Sequence, residues 1–244
     1  GGPTGVDGSG GEGAGDGQNP EAAAVAARAA VDERIGAMTL EQIEAFKQQY
    51  FNAARVCKEA GFDAIEVMAG VGGILSRFMA LATNNRTDEY GGSLENRLRF
   101  TKEIREEIAK ICGWDFPVAV RFSPKSMLKD WRKGALPNEE FEEKGRDLEE
   151  GLQTAKLLEA YGYDALDVDV GCYDAWWWNH PPMYMEKGPY RKYAKLVKET
   201  VKIPVFMAGR MDTPEMAESC VKDGTCDVIS LGRPLLADPD YVKT

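Results

Sequence analysis

Short apolar runs alternate with longer amphipathic stretches along most of this chain. Apolar side chains recur every three or four residues after Thr39 and again after Ser93, a spacing typical of helices with one buried face. Thr39 and Ser93 are good N-cap residues for these two helices. The runs between helices predict five short buried strands, at residues 63–68, 117–122, 164–169, 203–207 and 227–231.

Three further helices are predicted between and after these strands, at residues 138–161, at 190–201, and from Thr213-Pro214 onward. Strands that alternate with helices indicate right-handed βαβ units and a parallel sheet. A closed (β/α)₈ barrel needs eight such units. The predicted fold class is therefore α/β, either a TIM-type barrel of which this chain holds about five units or an open parallel sheet.

The first 37 residues differ in composition from the rest. Residues 1–20 are rich in glycine and contain no lysine or arginine, so they offer little apolar surface to bury. Residues 20–35 are rich in alanine and predict one short helix. We interpret 1–37 as a Gly/Ala-rich flexible tail or linker with a short helix, and 38–244 as the barrel portion.

Charge and cysteine content exclude several function classes. The chain has 244 residues, with 30 Lys and Arg against 40 Asp and Glu, and its net charge of −10 argues against nucleic acid as a partner. No apolar window is long enough to span a membrane, and no signal peptide is evident, so we expect a cytoplasmic protein. The five cysteines have irregular spacings, which favours free thiols over disulfides or a metal site.

Glycine and arginine occur together after each of the last two predicted strands, as Gly209-Arg210 and Gly232-Arg233. A glycine lets the backbone approach a ligand closely, and the arginine fork fits phosphate oxygens. Each pair alone is explained equally well by a turn glycine and a surface arginine. Two such pairs at successive strand ends favour an anion site, because barrel enzymes often bind phosphate there.

Three other features carry candidate chemistry. Arg121 lies inside an apolar strand, where it either pairs with Asp167 or Asp169 or stabilises a negative charge on a ligand. His180 is the only histidine, so it is either an acid–base group or a packed loop residue. The run of three tryptophans at 176–178 indicates a lid or an apolar pocket wall, or alternatively an interface patch.

Several long motifs resemble the old yellow enzyme family of flavin oxidoreductases. "NNRTDEYGGSLENRLRF" at 84–100 resembles the family signature, with "AGFDAIEVM" before it and "VAVRFS" after it. "FMAGRM" and "ISLGRPLLADPD" resemble the last two strand ends of the family. Residues 131–185 are similar to the branch that contains 2-enoate reductases, 2,4-dienoyl-CoA reductases and bile-acid enoate reductases. The resemblance covers residues 38–242.

The resemblance implies a TIM barrel that holds FMN and transfers hydride to the activated C=C bond of an enoate, enone or enoyl-CoA. NAD(P)H would be the electron donor. Arg121 would stabilise the reduced flavin. By the same resemblance the residues that hold the phosphate would be Gly209, Arg210, Gly232 and Arg233. A [4Fe-4S] cluster and FAD would belong only to a longer form of the protein.

The chain departs from the family pattern after the first predicted strand. The positions that usually carry His, His or Asn, and Tyr are Met68, Val71 and Gly73 here, and none of them can give a proton. Tyr173 or His180 would then be the catalytic proton donor.

Two alternatives stay open. The first is a catalytically silent or truncated flavin-barrel subunit that associates with another chain, because three barrel strands have no counterpart in this sequence. The second is a phosphate-binding barrel without flavin, such as a lyase or an isomerase, which rests on fold analogy alone.

Overall fold

A parallel sheet forms the centre of the computed structural model, which describes residues 36–243. The strands are β1 Ile65–Met68, β2 Val118–Phe122, β3 Leu128–Asp130, β4 Lys133–Gly134, β5 Ala165–Val168, β6 Val205–Met207 and β7 Val228–Ile229. Five of them pair in the order β1-β2-β5-β6-β7, and all four pairings are parallel. The short strands β3 and β4 form a separate antiparallel hairpin. The five predicted strands and the parallel α/β class are thus confirmed.

Eight helices lie within the described residues. They are α1 Leu40–Glu59, α2 Ile74–Met79, α3 Leu94–Cys112, α4 Leu148–Ala160, α5 Trp176–Asn179, α6 Arg191–Thr200, α7 Pro214–Lys222 and α8 Arg233–Ala237, with a 3₁₀ turn at Tyr173–Ala175. Among residues 36–243, none of the helices combines the length and the apolar character that a membrane crossing requires.

The helix starts follow the local sequence. Thr39 accepts a hydrogen bond from the backbone of Gln42, whose side chain accepts one from the Thr39 backbone, so the predicted capping box is present. Ser93 caps α3 through the backbone N–H of Asn96. Gly113 ends α3 with φ of +88°, a conformation that favours glycine.

The two faces of the sheet have different character. Val67, Val120 and Phe122 point to the buried face that the helices cover. The opposite face carries polar groups, because strand register places Met68 beside Arg121 and Arg121 beside Asp167. Parallel strands keep paired residues on one face, so this face gathers the charged side chains.

The predicted helix at 138–161 is wrong in its first ten residues, since α4 begins only at Leu148. Asn138 has φ of +65°, which no helix accommodates. The Glu143 carboxylate then accepts hydrogen bonds from the backbone N–H groups of Met127 and Leu128 at 2.9 and 3.0 Å. These contacts hold the segment as a loop against the β3–β4 hairpin.

Other local features were not expected from the pattern. Helix α2 and the β3–β4 hairpin occupy segments that predicted loops. The tryptophan run forms the one-turn helix α5, and the indole N–H groups of Trp177 and Trp178 both donate to the carbonyl of Ala135 at 2.8 Å. The predicted tail at 1–20 and the helix at 20–35 lie outside the described residues. The five cysteines are all free thiols, as predicted.

Candidate active site

A cavity of about 740 Å³ lies at the carboxyl ends of β5, β6 and β7. This edge collects the loops that follow parallel strands, where α/β proteins place their ligands. Six of the seven predicted site residues line this cavity, namely Arg121, His180, Gly209, Arg210, Gly232 and Arg233. The seventh, Tyr173, lies on a neighbouring small cavity described below.

Two guanidinium groups give one wall of the large cavity its positive charge. Arg210 donates through Nη1 to the carbonyls of Met183, at 2.8 Å, and Met185. Arg233 donates through both terminal nitrogens to the Pro181 carbonyl at 3.2 Å. Backbone carbonyls position these side chains without cancelling their charge, and Asp212 reaches Arg210 only at 4.0 Å. The wall is therefore suited to an anionic ligand.

The backbone at the two glycine–arginine corners differs in what it requires. Gly209 has φ of +95°, and a Cβ there would lie 2.7 Å from the Tyr190 ring, so only glycine fits. A Cβ at Gly232 would meet no atom within 4 Å, so packing does not require that glycine. Arg210 itself has φ of +51°, an uncommon conformation for a side chain of this size and one found at functional sites.

Arg121 pairs with both aspartates that the sequence offered, and it also lines the large cavity. Its Nε donates to Asp169 Oδ2 at 3.0 Å, and its Nη1 lies 3.8 Å from Asp167 Oδ2. The same side chain lines the large cavity and keeps 24% of its surface exposed. Removal from water opposes its charged form, but Asp169 and Asp167 outweigh that effect and raise the pKa of Arg121.

A third acid, Glu66, joins this cluster from β1. Partial removal from water, together with the Asp167 carboxylate, raises the pKa of Glu66 to about 7. Glu66 lies within hydrogen-bond reach of Asp167. Oδ1 of Asp167 is buried and has no hydrogen-bond partner among the described residues. A proton on Glu66 near neutral pH removes the repulsion between this carboxyl group and the Asp167 carboxylate.

The two predicted proton donors lie on opposite sides of one tryptophan. The Trp176 ring stacks on His180 with centroids 4.0 Å apart and on Tyr173 with centroids 5.6 Å apart. Burial and the positive charges of Arg121 and Arg233 lower the pKa of His180, so this imidazole is neutral at pH 7.

Tyr173 reaches the loop that follows β1. A Cβ built at Gly72 would lie 2.7 Å from the Tyr173 ring, so the glycine makes room for it. The phenol lines a small cavity of about 50 Å³, and Ser123 and Arg146 lie on the same wall. The two cavities are neighbours, because Asp169 binds Arg121 at the large one and Ser123 at the small one.

Two charged groups near the site were missed by sequence reasoning. Glu66 interrupts the apolar pattern of its strand just as Arg121 does, and that signal was available. Arg146 had no such signal, because the segment around it was expected to be part of a helix. In the structure it is 96% buried.

Comparison with known proteins gives an independent view of the family and the fold. The family model described as NADH:flavin oxidoreductase / NADH oxidase matches residues 9–244. The chain is 52% identical over 204 residues to cinnamate reductase of Clostridium sporogenes, covering 83% of this chain and 31% of that protein. It is 38% identical over 207 residues to NADH oxidase of Thermoanaerobacter brockii, and the match covers 84% of this chain and 30% of that protein. The chain therefore spans about a third of the length of these two relatives.

Solved structures give the same picture. A 2-naphthoyl-CoA reductase complex superposes with a TM-score of 0.73 at 33% sequence identity, covering 84% of this chain and 29% of that one. Morphinone reductase superposes with a TM-score of 0.64 at 26% sequence identity, and the match covers 84% of this chain and 49% of that one. The described sheet therefore corresponds to part of the barrel in these proteins.

Proposed function

Because this chain belongs to the NADH:flavin oxidoreductase / NADH oxidase family, we propose that it is an FMN-dependent ene-reductase. It reduces the activated C=C bond of an enoate, enone or enoyl compound with electrons from NAD(P)H. The similarity to cinnamate reductase favours an α,β-unsaturated acid among these substrates. The observation that carries the proposal is the large cavity with three guanidinium groups on its wall.

FMN is the cofactor of this family, and the residues present fit it. The volume of about 740 Å³ lies within the range of cofactor sites. Arg210 and Arg233 donate to neutral carbonyls, so their positive charge is available to a phosphate. Gly232 leaves open space beside the second corner. Together with Gly209, these residues would hold the phosphate, and Arg121 would face the flavin ring.

When bound, FMN supplies a hydride for the β-carbon of the alkene. The chain must then deliver a proton to the α-carbon, and we assign this role to Tyr173. His180 is neutral at pH 7 because its pKa is lowered, so it is a weak acid there. It serves better as a wall of the cavity, stacked against Trp176. Arg121 stabilises negative charge that develops nearby, since Asp169 and Asp167 keep it protonated and oriented.

The test is to mix the purified chain with FMN, remove free flavin by desalting, and record the visible spectrum. The expected result is retained flavin absorbance and NADH-dependent reduction of cinnamate. Arg233→Lys keeps the charge but loses the planar fork, and it should weaken FMN binding about tenfold. Arg191→Lys, outside the large cavity, is the control. A chain that folds but retains no flavin would contradict the proposal.

A second candidate is a flavin-barrel subunit that is silent alone and associates with another chain. In the described part of the chain, β1 and β7 are the outer strands of the sheet. Met68 and Val228 on these strands are exposed, at 42% and 41%. Exposed outer strands and apolar side chains favour association. Sedimentation analysis decides this point, since a stable monomer would speak against it. A cytoplasmic location stays a prediction.

A further inference from the structure

The end of β1 and the loop after it offer no side chain that could bind the carbonyl or carboxylate of a substrate. Met68, Val71 and Gly73 carry neither a charge nor a strong hydrogen-bond donor. An enoate needs such a partner, because its double bond becomes a good hydride acceptor only when negative charge on the oxygens is stabilised. The small cavity beside Tyr173 contains suitable groups.

Polar and charged residues lie among apolar ones on the wall of this small cavity. It is lined by Ser76, Arg77, Thr83, Ser123, Ser126, Arg146, Tyr173 and Asp174, with glycines, alanines, Leu128 and Cys172 between them. A cavity needs at least about 10–15 Å³ of such volume to hold one water, so 50 Å³ exceeds that minimum several-fold and can admit a small group such as a carboxylate.

Arg146 is the strongest feature of the small cavity. Only 4% of it is exposed, yet one of its terminal nitrogens, Nη2, has no hydrogen-bond partner among the described residues. Its Nη1 donates to the Ser123 carbonyl at 3.1 Å, and its Nε lies 3.4 Å from Glu150 Oε1. An unpaired donor on a buried cation is costly, and a native structure usually provides a ligand or a water for it.

The charge around Arg146 is not balanced by the protein. Arg97 binds the same carboxylate, donating from Nη1 to Glu150 Oε1 at 3.0 Å and from Nη2 to Oε2 at 2.6 Å. Two buried guanidinium groups therefore share one carboxylate, which leaves a net charge of about +1. Burial, only partly offset by Glu150, lowers the pKa of Arg146 to about 10. The other charged groups on the wall, Arg77 and Asp174, have opposite signs.

We propose that the small cavity binds the carboxylate of the unsaturated acid, with Arg146 as its principal partner and Ser76, Ser123 and Ser126 around it. This inference rests on the proposed function. It also specifies the substrate as a free acid, because a thioester or an amide carries no charge to neutralise Arg146.

The position of Tyr173 agrees with this assignment. The α-carbon of an enoate is bonded to the carboxylate carbon, so a group that protonates the α-carbon must lie beside the carboxylate site. Tyr173 lines the same cavity as Arg146. In the reaction the C=C π bond breaks, the β-carbon gains a hydride, and the α-carbon gains the phenol proton of Tyr173. Water then returns a proton to the phenolate, and NAD(P)H is the compound oxidised.

The test compares a saturated acid with its neutral amide, so that no turnover occurs. 3-Phenylpropanoate and 3-phenylpropanamide are titrated into the protein in phosphate buffer, which occupies the arginines of the large cavity, and tryptophan fluorescence is recorded. The acid should bind at least about tenfold more tightly than the amide. Arg146→Lys should remove that preference and leave amide binding unchanged. Arg55→Lys, on the exposed face of α1, is the matched control.

Two results would overturn the inference. One is equal affinity for the acid and the amide in the unmodified protein. The other is an acid preference that survives Arg146→Lys. If Arg146→Lys fails to fold, the Ser76→Leu variant tests the inference instead. The larger side chain fills part of the small cavity, so the preference for the acid over the amide must disappear. A protein that prefers the acid but shows no flavin binding or alkene reduction would contradict only the proposed function.

Discussion

Glu66 makes the stability of this protein depend on pH in a direction opposite to that of most carboxylates. Partial removal from water and the charges of Asp167 and Asp169 disfavour its charged form, and the Arg121 cation only partly offsets them. The native state therefore keeps a proton on Glu66 up to about pH 7, whereas the unfolded chain releases it near the ordinary value of 4.5. Because the native state binds more protons in this window, the free energy of unfolding falls as pH rises from about 4.5 to about 7.

The size of the effect follows from the same shift. A difference of about 2.5 pKa units corresponds to at most about 3.4 kcal/mol, at 1.36 kcal/mol per unit. Glu66 is exposed on the open face of the sheet, so water screens its interactions and the full value overstates the effect. We expect about 1 kcal/mol.

Glu66→Gln isolates this contribution, because an amide cannot ionise. Urea unfolding followed by tryptophan fluorescence between about pH 5 and pH 8 gives the free energy of unfolding for both proteins. As pH rises across this range, the free energy of unfolding of the unmodified protein should fall by about 1 kcal/mol more than that of the variant. Glu199→Gln, an exposed change on α6, should run parallel to the unmodified protein. Parallel curves for Glu66→Gln as well would refute the raised pKa of Glu66.

Two further changes test the site. Tyr173→Phe should lower the rate of alkene reduction about a hundredfold while FMN binding stays intact, whereas His180→Gln should change that rate only a few-fold. If stopped-flow measurements showed the larger loss for His180→Gln, His180 would be the proton donor instead. Gly209→Ala places a Cβ 2.7 Å from the Tyr190 ring on a residue with left-handed backbone. It should lower the free energy of unfolding by roughly 1–3 kcal/mol in the same urea assay. An unchanged urea midpoint of unfolding would disprove this cost.

The sheet was predictable because each strand is a short apolar run bounded by turn residues. Cap residues such as Thr39 and Ser93 then placed the helix starts. The segment 138–147 was not predictable in this way. Its loop depends on Glu143, which accepts hydrogen bonds from backbone groups more than ten residues earlier in the chain. Local periodicity contains no information about such a contact.

The large cavity was predictable for a related reason. Strand ends of a parallel sheet meet at one edge, so Gly209-Arg210 and Gly232-Arg233 had to be neighbours once the strands were known. The small cavity depends on tertiary packing instead. Arg146 precedes α4 in a charged stretch that resembles solvent-exposed sequence, and it is buried where α4 packs against α3. Its value as a site became evident from burial and from an unpaired nitrogen.

Asp169 links the two cavities through its two carboxylate oxygens. Its Oδ2 accepts from Arg121 at the large cavity, and its Oδ1 accepts from Ser123 at the small one. The carbonyl of Ser123 in turn accepts from Arg146. Arg121 is the penultimate residue of β2, and Ser123 directly follows the strand, so the backbone would fix the spacing between the proposed flavin site and the proposed carboxylate site. Hydride transfer requires the flavin and the β-carbon at a defined separation, and a rigid strand end maintains it better than two independent loops.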